Sequence, residues 1–238
     1  MKTIDVALLP NTVNHQLISD SAAIVIDVLR ASSTMLTALS NGAKQIIPVI
    51  EPEDAKDMAR KLNPGEWLLC GEREGNKIPG FDLGNSPLEY TVENIKDKTL
   101  IMSTTNGTKA CYSAQTASVL YIGSFLNLSA VSEVVQQADK DIQIITSGKE
   151  GRFSLEDAVC AGAIVERLNA DETYAITDAA RVAQILYTIY RSNIREMLGN
   201  CEHGIYLASL GYTQDLDYCA QIDTLHLIPR FTSGVITI

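Results

Sequence analysis

The sequence predicts an α/β protein with three layers, in which helices cover both faces of a largely parallel or mixed central sheet and a helix-rich part follows at the C-terminal end. Up to about residue 150, short continuous apolar runs alternate with amphipathic stretches. Continuous apolar strands are typical of a sheet that is buried on both faces, which is the usual setting of parallel strands. From about residue 154 helical periodicity dominates, which predicts mostly helices.

The predicted elements follow one another along the chain. Strand-forming runs are, in order, TIDVALL, AAIVIDV, QIIPVI, EWLLC, TLIMS, SVLYIG and DIQIIT. Helical periodicity marks 53–62, 107–116 and 127–138 between them. Later, SLEDAVCAGAIVERL and ITDAARVAQILYTIYRS predict two long helices, two shorter helical segments follow, and TLHLIPR and GVITI predict strands. No repeat or Gly/Ser linker interrupts this order, so a single domain over 1–238 is expected.

Charge and composition narrow the function classes. The 238 residues carry 19 Lys and Arg against 29 Asp and Glu, a formal net charge of −10. Nucleic-acid and anionic-membrane surfaces depend on clustered positive charge, so we expect neither partner. No run of about 18 apolar residues predicts a membrane span and no signal peptide is recognisable, so a cytoplasmic protein is expected. The five cysteines show no C-x-x-C pair, which favours reduced core thiols over disulfides or a zinc site.

Polar side chains follow four of the predicted strands at the point where each strand ends. These residues are Asp27, Arg30, Ser32, Ser33 and Thr34, then Thr104, Thr105, Asn106 and Gly107, then Ser124 and Asn127, then Lys149 and Arg152. The carboxyl ends of parallel strands meet at one edge of the sheet, where helix N-termini favour phosphate-like charge. The sequence therefore predicts an anion site, although each hydroxyl or amide alone would suit an ordinary helix cap.

Acids at the same inferred edge indicate a divalent cation. Asp27 ends a buried strand, where an unpaired carboxylate is costly, so we expect it to pair with Arg30, to bind a metal ion or to act chemically. Glu72 and Asp82 are the further candidate metal ligands. Oxygen ligands without clustered His or Cys favour Mg²⁺ over Zn²⁺. The sequence therefore predicts a magnesium site.

Other acids have both a chemical and a structural interpretation. Glu156 and Asp157 are candidate catalytic bases, but acids are also simply favourable in the first turn of a helix. Asp215 and Asp217 form a D-x-D pattern inside a helical stretch rather than after a strand, and we interpret them as a solvated helix face.

The histidines and the standard phosphate-binding motifs give less information about the site. His15 and His226 lie in apolar or loop contexts and are interpreted as structural, whereas His203, in CEHG, caps or opens a helix and could belong to a site. No Cys has an Arg six positions later, and a P-loop is absent. These absences exclude cysteine-dependent phosphatases and P-loop proteins.

The least regular stretch is GEREGNKIPGFDLGNSPLEY at 71–90, between two predicted strands. A loop of this length inside a compact chain is usually functional or disordered, and its apolar residues favour an ordered loop. Arg73, Lys77 and Asn85 within it are candidate substrate contacts.

Six motifs, in order along nearly the whole chain, resemble those of the 2-phosphosulfolactate phosphatase family of coenzyme M biosynthesis. They are DVLRASST at 27–34, the 71–90 loop, STTNGT at 103–108, GSFLN at 123–127, GRFSLEDAVCAG at 151–162 and the terminal HG…G…D…CA…D…P pattern. The resemblance implies an α/β/α fold and a Mg²⁺-dependent acid phosphatase that hydrolyses 2-phospho-3-sulfolactate to 3-sulfolactate and phosphate. A substrate with phosphate, carboxylate and sulfonate groups needs several cationic contacts, and Arg30, Arg73, Lys77, Lys149 and Arg152 are available.

This interpretation leaves alternatives open. Asp27, with Glu72 or Asp82, would hold Mg²⁺, or Asp27 would be the nucleophile. The substrate could be another small phosphorylated hydroxy acid, and the chain could instead be a non-catalytic module that binds an anionic metabolite. The apolar helices at 157–168 and 178–190 could supply a homodimer face, or both could bury their apolar sides within the monomer.

Overall fold

The computed structural model describes residues 1–14 and 16–238, so the structural role expected for His15 lies outside the described residues. Across those ranges the chain forms eleven strands and ten α-helices in three layers, which confirms the expected fold class. The strands are β1 (Thr3–Ala7), β2 (Ala22–Ile26), β3 (Gln45–Pro48), β4 (Trp67–Arg73), β5 (Asn76–Lys77), β6 (Thr99–Ser103), β7 (Val119–Gly123), β8 (Ile142–Thr146), β9 (Ala175–Ile176), β10 (Arg230–Thr232) and β11 (Val235–Thr237). The helices are α1 (Ala31–Ser40), α2 (Pro52–Ala59), α3 (Val92–Ile95), α4 (Gly107–Ser113), α5 (Leu128–Gln137), α6 (Leu155–Leu168), α7 (Asp178–Tyr190), α8 (Ile194–Asn200), α9 (Glu202–Ser209) and α10 (Thr213–Cys219).

The sheet is mixed, and its strands follow the order β5-β4-β6-β3-β11-β10-β7-β2-β8-β1-β9. β4, β6 and β3 are parallel to one another, and so are β7, β2, β8, β1 and β9. The C-terminal hairpin of β10 and β11 lies between these two groups: β10 is antiparallel to β7 and β11 is antiparallel to β3, so the two groups run in opposite directions. The last strands of the chain therefore join the two parallel halves of the sheet.

β2 is buried along its whole length because its alternate residues pack into two different cores. Ile24 and Ile26 lie in the core that includes residues of α5, α6 and α7. Ala23 and Val25 lie in the core that includes residues of α1 and α4. Helices on both faces explain why this strand reads as a continuous apolar run in the sequence.

The C-terminal part differs from the prediction in two places. Three short helices, α8, α9 and α10, follow α7 and pack against one another, whereas the sequence predicted two. Residues 224–229 of TLHLIPR are not a strand, and β10 begins only at Arg230. Pro229 has no N–H for a ladder and joins the sheet only through its carbonyl, which accepts a hydrogen bond of 2.9 Å from Ile122.

Helices α6 and α7 differ in how fully the chain buries them. α6 is almost entirely buried, and a Cβ on its Gly162 would lie 1.9 Å from the carbonyl oxygen of Ala183 in α7. α7 leaves Val182, Ile185 and Ile189 exposed. Burial within the monomer is therefore correct for α6, and only α7 retains an apolar stripe on the surface.

None of the helices in the described ranges has the length and hydropathy that a membrane span requires. All five cysteines are buried and free of disulfides, as the sequence predicted. Burial raises the pKa of the Cys111 and Cys219 thiols to about 12, so these groups stay protonated and chemically inert.

Gly162→Ala is expected to lower the free energy of unfolding by about 1–3 kcal/mol, since the added methyl forces α6 and α7 apart. Gly199→Ala is the matched control, because a Cβ there would meet only the flexible guanidinium of Arg195, at 2.9 Å. Urea unfolding of both variants measures the difference. Equal stability of the two would show that α6 and α7 separate without cost.

Candidate active site

A cleft of about 500 Å³ opens where β2, β4, β6 and β8 end, and α9 forms part of its wall. Asp27, Glu72, Thr104 and Lys149 come from the strand ends, and His203 and Tyr206 come from α9. Of the four strand ends that the sequence predicted to meet, those of β2, β6 and β8 therefore lie together at one site, and the end of β4 joins them.

Asp27 is a buried acid of this cleft. It follows β2 and is 6% exposed, and its Oδ1 accepts a hydrogen bond of 3.2 Å from the N–H of Ala31 in the first turn of α1. Burial raises the pKa of Asp27 to about 6; His203 and the Ala31 N–H act to lower it, and the charge of Glu72 acts to raise it. The carboxyl group therefore changes its charge near neutral pH, where acid–base and metal-binding groups are most useful.

Glu72 is the second buried carboxylate of the cleft, and it organises two loops. Its Oε1 accepts a hydrogen bond of 2.8 Å from the N–H of Thr105, and its Oε2 accepts one of 2.9 Å from the N–H of Gly75. The carbonyl of Gly75 in turn accepts a hydrogen bond of 2.6 Å from Arg30. Glu72 therefore fixes the turn after β6 against the loop after β4.

The turn after β6 and the 71–90 loop each place at the cleft a polar atom that has no protein partner. Within the described residues, Thr105 Oγ1 and Asn85 Oδ1 are buried without a hydrogen bond. Gly107 follows, where a Cβ would lie 2.6 Å from the Ala31 Cβ and 2.9 Å from Asp27 Oδ2, so only glycine fits. Because buried polar atoms are normally paired, the two unpaired oxygens are candidate ligand contacts.

Arg73 and Lys149 are cations of the cleft that keep some exposure. The Arg73 guanidinium donates to the backbone carbonyls of Ile50, at 2.7 Å, and Ser103, at 3.3 Å. Lys149 Nζ lies 4.8 Å from the centre of the Tyr206 ring. Their side chains are 34% and 16% exposed. Both can therefore contact an anionic ligand while their position is fixed by the protein.

Arg30 pairs with Asp215, and not with Asp27 as one of the sequence interpretations had it. The Nη1 to Oδ2 distance is 2.7 Å, and both side chains are 2% exposed. Ser86 donates to the other Asp215 oxygen at 2.6 Å, and the guanidinium lies 4.2 Å from the centre of the Tyr212 ring. Arg30 therefore links α10 to the strand-end loops and lines the cleft from a fixed position.

The interpretation of Asp215 as part of a solvated helix face is wrong. Asp215 is 2% exposed, whereas Asp217, two residues later in α10, is 60% exposed at its side chain and pairs with Arg195. Two residues on a helix are about 200° apart, so the D-x-D pattern points one acid inward and the other outward. The sequence contained the pattern but not the direction of the helix.

Comparison with known proteins follows the geometry. The family model described as 2-phosphosulpholactate phosphatase matches residues 7–234. The chain belongs to this family. A protein of Caldanaerobacter subterraneus subsp. tengcongensis, named "Probable 2-phosphosulfolactate phosphatase", is 39% identical over 226 residues, 95% of this chain and 94% of that protein. Proteins with the same name from Symbiobacterium thermophilum (42% over 217 residues, 91% and 93%) and Clostridium novyi (38% over 234 residues, 98% and 99%) are also similar. The family and the class of phosphoric monoester hydrolase expected from the motifs are thereby confirmed.

In this member of the 2-phosphosulpholactate phosphatase family, the three hydroxyls after β2 support the cleft from behind. Ser32 Oγ accepts a hydrogen bond from the N–H of Asp27, Ser33 Oγ donates to a backbone carbonyl, and Thr34 Oγ1 donates to the carbonyl of Asn85. All three are buried. These hydroxyls therefore position Asp27 and Asn85. The structure does not support the prediction that they contact the substrate directly.

Ser124 and Asn127 act as caps, which was the structural alternative. Ser124 accepts a hydrogen bond from the N–H of Leu126 while the Asn127 side chain accepts one from the N–H of Ser124. Asn127 also donates to the carbonyl of Leu227. These bonds connect the end of β7 to the segment before β10, and neither residue lines the cleft.

Lys77, Asp82 and Arg152 lie outside the cleft. Asp82 Oδ2 accepts a hydrogen bond of 2.8 Å from the N–H of Leu69, so this acid closes the loop onto β4 instead of joining Asp27 and Glu72. Arg152 pairs with Glu202 at 2.7 Å on the surface beside α9. The structure therefore does not bring these three predicted site residues to the strand ends.

Asp157 is buried behind the cleft, not in its lining. Its Oδ1 accepts a hydrogen bond of 2.8 Å from the N–H of Val28, and its Oδ2 accepts one of 3.0 Å from Ser147. Burial, with the charges of Glu156 and Asp27, raises the pKa of Asp157 well above its usual range. Asp157 therefore holds the segment after Asp27 and is not placed to activate a water molecule in the cleft.

Glu156 is also absent from the cleft lining, but it touches a residue that lines it. Its Oε1 lies 3.3 Å from Nδ1 of His203. Sequence reasoning named His203 only as a residue that could belong to a site. The one sequence signal for a site role of His203 is its place in EHG at the start of a helix. Nothing in the local sequence shows that α9 folds back over the strand ends.

Asp215→Asn is expected to lower the free energy of unfolding by about 3–5 kcal/mol, because it leaves the buried Arg30 charge without a partner. Asp217→Asn is the matched control in the same helix, and removal of an exposed ion pair costs less than about 1 kcal/mol. Chemical unfolding of the two variants tests this. Equal losses would contradict the burial of Arg30.

Asp27→Asn is expected to stabilise the cation-free protein increasingly as the pH rises. The native pKa is raised from 3.8 to about 6, so folding of the wild type favours the protonated acid, and this stability is present below pH 4 and lost as the pH rises through 6. The variant lacks that loss, so its advantage grows to about 3 kcal/mol by pH 7. Unfolding in EDTA from pH 4 to 8 measures it, with the exposed Asp57→Asn as control. A pH-independent difference would contradict the raised pKa.

Proposed function

We propose that this protein is a Mg²⁺-dependent phosphatase that hydrolyses 2-phospho-3-sulfolactate to 3-sulfolactate and phosphate, a step of coenzyme M biosynthesis. The observation that carries the proposal is the buried Asp27 beside Glu72 in a cleft that also holds Arg73 and Lys149. Membership of the 2-phosphosulpholactate phosphatase family and the names of the relatives support the reaction and the substrate. This membership favours an enzyme over a module that only binds anions.

The donor atoms of the cleft fit a magnesium ion. Asp27 and Glu72 supply carboxylates, and Thr105 and Asn85 supply buried oxygens without partners. The described residues contain no group of three or more His, Cys, Asp or Glu arranged for a metal ion. Mg²⁺ suits such a site, since proteins usually hold it through one or two carboxylates, waters and substrate phosphate. Asp82 is not proposed as a ligand, because its carboxylate lies outside the cleft and accepts a hydrogen bond from the N–H of Leu69.

The charges of the cleft also favour a cation. Among the described residues, the lining carries four carboxylates and three permanent cations, namely Asp27, Glu72, Glu74 and Glu150 against Arg30, Arg73 and Lys149. Arg30 is already neutralised by Asp215. A substrate with three anionic groups would therefore be repelled without a further positive charge. Mg²⁺ bound by Asp27 and Glu72 would polarise the phosphoryl group and offset this repulsion.

The protein residues have separate tasks in this proposal. Thr104, Thr105 and Asn106 surround the phosphoryl group, and Arg30 stabilises charge on its oxygens from its fixed position. Arg73 and Lys149 bind the carboxylate and sulfonate groups. The rigid placement of these groups orients the phosphorus for in-line attack by water, which lowers the entropic cost of the reaction.

The remaining aspects of the proposal concern substrate range, assembly and location. Another small phosphorylated hydroxy acid would use the same cleft with one anionic contact fewer. A homodimer would use the exposed stripe of Val182, Ile185 and Ile189 on α7. The net charge of −10 argues against nucleic acid as a partner, and the five free thiols suit a cytoplasmic enzyme.

Asp27→Asn is expected to reduce turnover of 2-phosphosulfolactate by about 10²–10³-fold or more, because it removes the charge that holds the cation and faces the phosphoryl group. Asp82→Asn is the control and retains wild-type turnover. Phosphate release is measured with 2-phosphosulfolactate, phospholactate and 3-phosphoglycerate, each with Mg²⁺ and with excess EDTA.

The outcomes separate the parts of the proposal. Release that persists in EDTA would overturn the requirement for Mg²⁺, and faster release from phospholactate would overturn the substrate. Protein-bound phosphate in an acid-quenched first turnover would make Asp27 the nucleophile. Mg²⁺ is also expected to raise the melting temperature of the wild type and not that of Asp27→Asn, since a ligand stabilises only the state that binds it.

A further inference from the structure

His203 is the histidine on the cleft wall that the proposed reaction has not used. It lies in the first turn of α9, and its side chain is 17% exposed and lines the same cleft as Asp27. Its Nδ1 lies 3.3 Å from Glu156 Oε1. The two ring nitrogens of histidine point in different directions, so this contact leaves Nε2 for the cleft.

Glu156 is suited to hold this ring in one orientation. Its side chain is 3% exposed, in the first turn of α6, which is one of the rigid helices of the core. Burial acts to raise the pKa of Glu156, but the contacts with His203, a backbone N–H and Cys201 together outweigh this effect and the pKa lies below its usual range. The carboxylate is therefore ionised, and an ionised carboxylate can only accept a hydrogen, so Nδ1 carries one.

The surroundings of His203 connect it to the reacting groups. His203 and Asp27 both line the same cleft. Asp27 belongs to the end of β2, while His203 belongs to α9. In-line phosphoryl transfer needs the entering and leaving oxygens on opposite sides of the phosphorus, and groups from two walls of a cleft can serve the two sides.

We propose that His203 is the general acid of the phosphatase, with Glu156 as the residue that positions it. This inference rests on the proposed function and assigns a residue that the proposed function leaves without a role. The oxygen of the attacking water forms a bond to phosphorus while the bond from phosphorus to the leaving oxygen breaks. The electron pair of the broken bond stays on the leaving oxygen, which takes the proton from Nε2. The water keeps one hydrogen as P–OH and gives the other to solvent, from which Nε2 is protonated again.

The test compares poor and good leaving groups. His203→Gln is expected to lower kcat about 10²–10⁴-fold on 2-phosphosulfolactate and 2-phospholactate, whose leaving alkoxides need a proton. On phosphoenolpyruvate and 4-nitrophenyl phosphate, whose leaving groups need less help, the loss is expected to stay under about 10-fold. Glu156→Gln should show the same pattern with a loss of about 10–100-fold. His226→Gln, at an exposed histidine outside the cleft, should leave all substrates unchanged.

An equal loss on every substrate that the wild type accepts would overturn the role of His203, since a merely structural defect does not depend on the leaving group. A wild type that accepts alkyl substrates alone is tested with His203→Ala, which should regain turnover when imidazole is added, and no gain would also overturn the role. Failure of the wild type itself to release phosphate would instead reject the proposed function. Thermal unfolding of each variant verifies that the fold is kept.

Discussion

The cleft depends on the buried ion pair between Arg30 and Asp215. Arg30 stands where β2 passes into α1, and Asp215 belongs to α10, 185 residues later. The same guanidinium donates to the Gly75 carbonyl, and the same carboxylate accepts from Ser86. A buried charge needs all of its hydrogen bonds satisfied, so this pair holds the strand ends, the long loop and the C-terminal helices in one arrangement. The position of α9, and with it His203, follows from that arrangement.

Four buried acids lie in or next to the cleft. Asp27, Glu72, Glu156 and Asp157 are all at least nine-tenths buried. Each is held by a different means: Asp27 by the start of α1, Glu72 by two backbone N–H groups, Glu156 by His203, and Asp157 by Ser147 and a backbone N–H. Only Asp27 and Glu72 of these acids line the cleft. Glu156 and Asp157 therefore act on the cleft through the groups that they position.

The sequence predicts the parts of this molecule that local signals specify. The apolar runs identify β2 and β8, and the polar residues after the strands identify Asp27, Glu72 and the 104–107 turn, because residues at the carboxyl ends of parallel strands are the usual place for a site. This rule applies within each parallel half of the sheet, and it does not predict that the ends of β2 and β8 meet those of β4 and β6. What depends on long-range packing is not predictable in the same way. The inward direction of Asp215, the fold-back of α9 and the insertion of the β10–β11 hairpin between β3 and β7 arise from contacts between distant segments. The strand predicted at TLHLIPR is mostly absent for a related reason, because apolar composition alone does not supply a partner strand.

The cations of the cleft differ in how much of their charge is available to a substrate. Asp215 already neutralises Arg30, so the protein charge available to the outer anionic groups of a substrate comes from Arg73 and Lys149. Backbone carbonyls hold Arg73, and Lys149 lies on the face of the Tyr206 ring with Glu202 at 3.7 Å. Neither cation is free to move toward a smaller ligand without losing these contacts. Under the proposed function, a ligand with two anionic groups beside its phosphate would contact both cations, which is the physical reason why a sulfonated hydroxy acid would bind better than a simpler one.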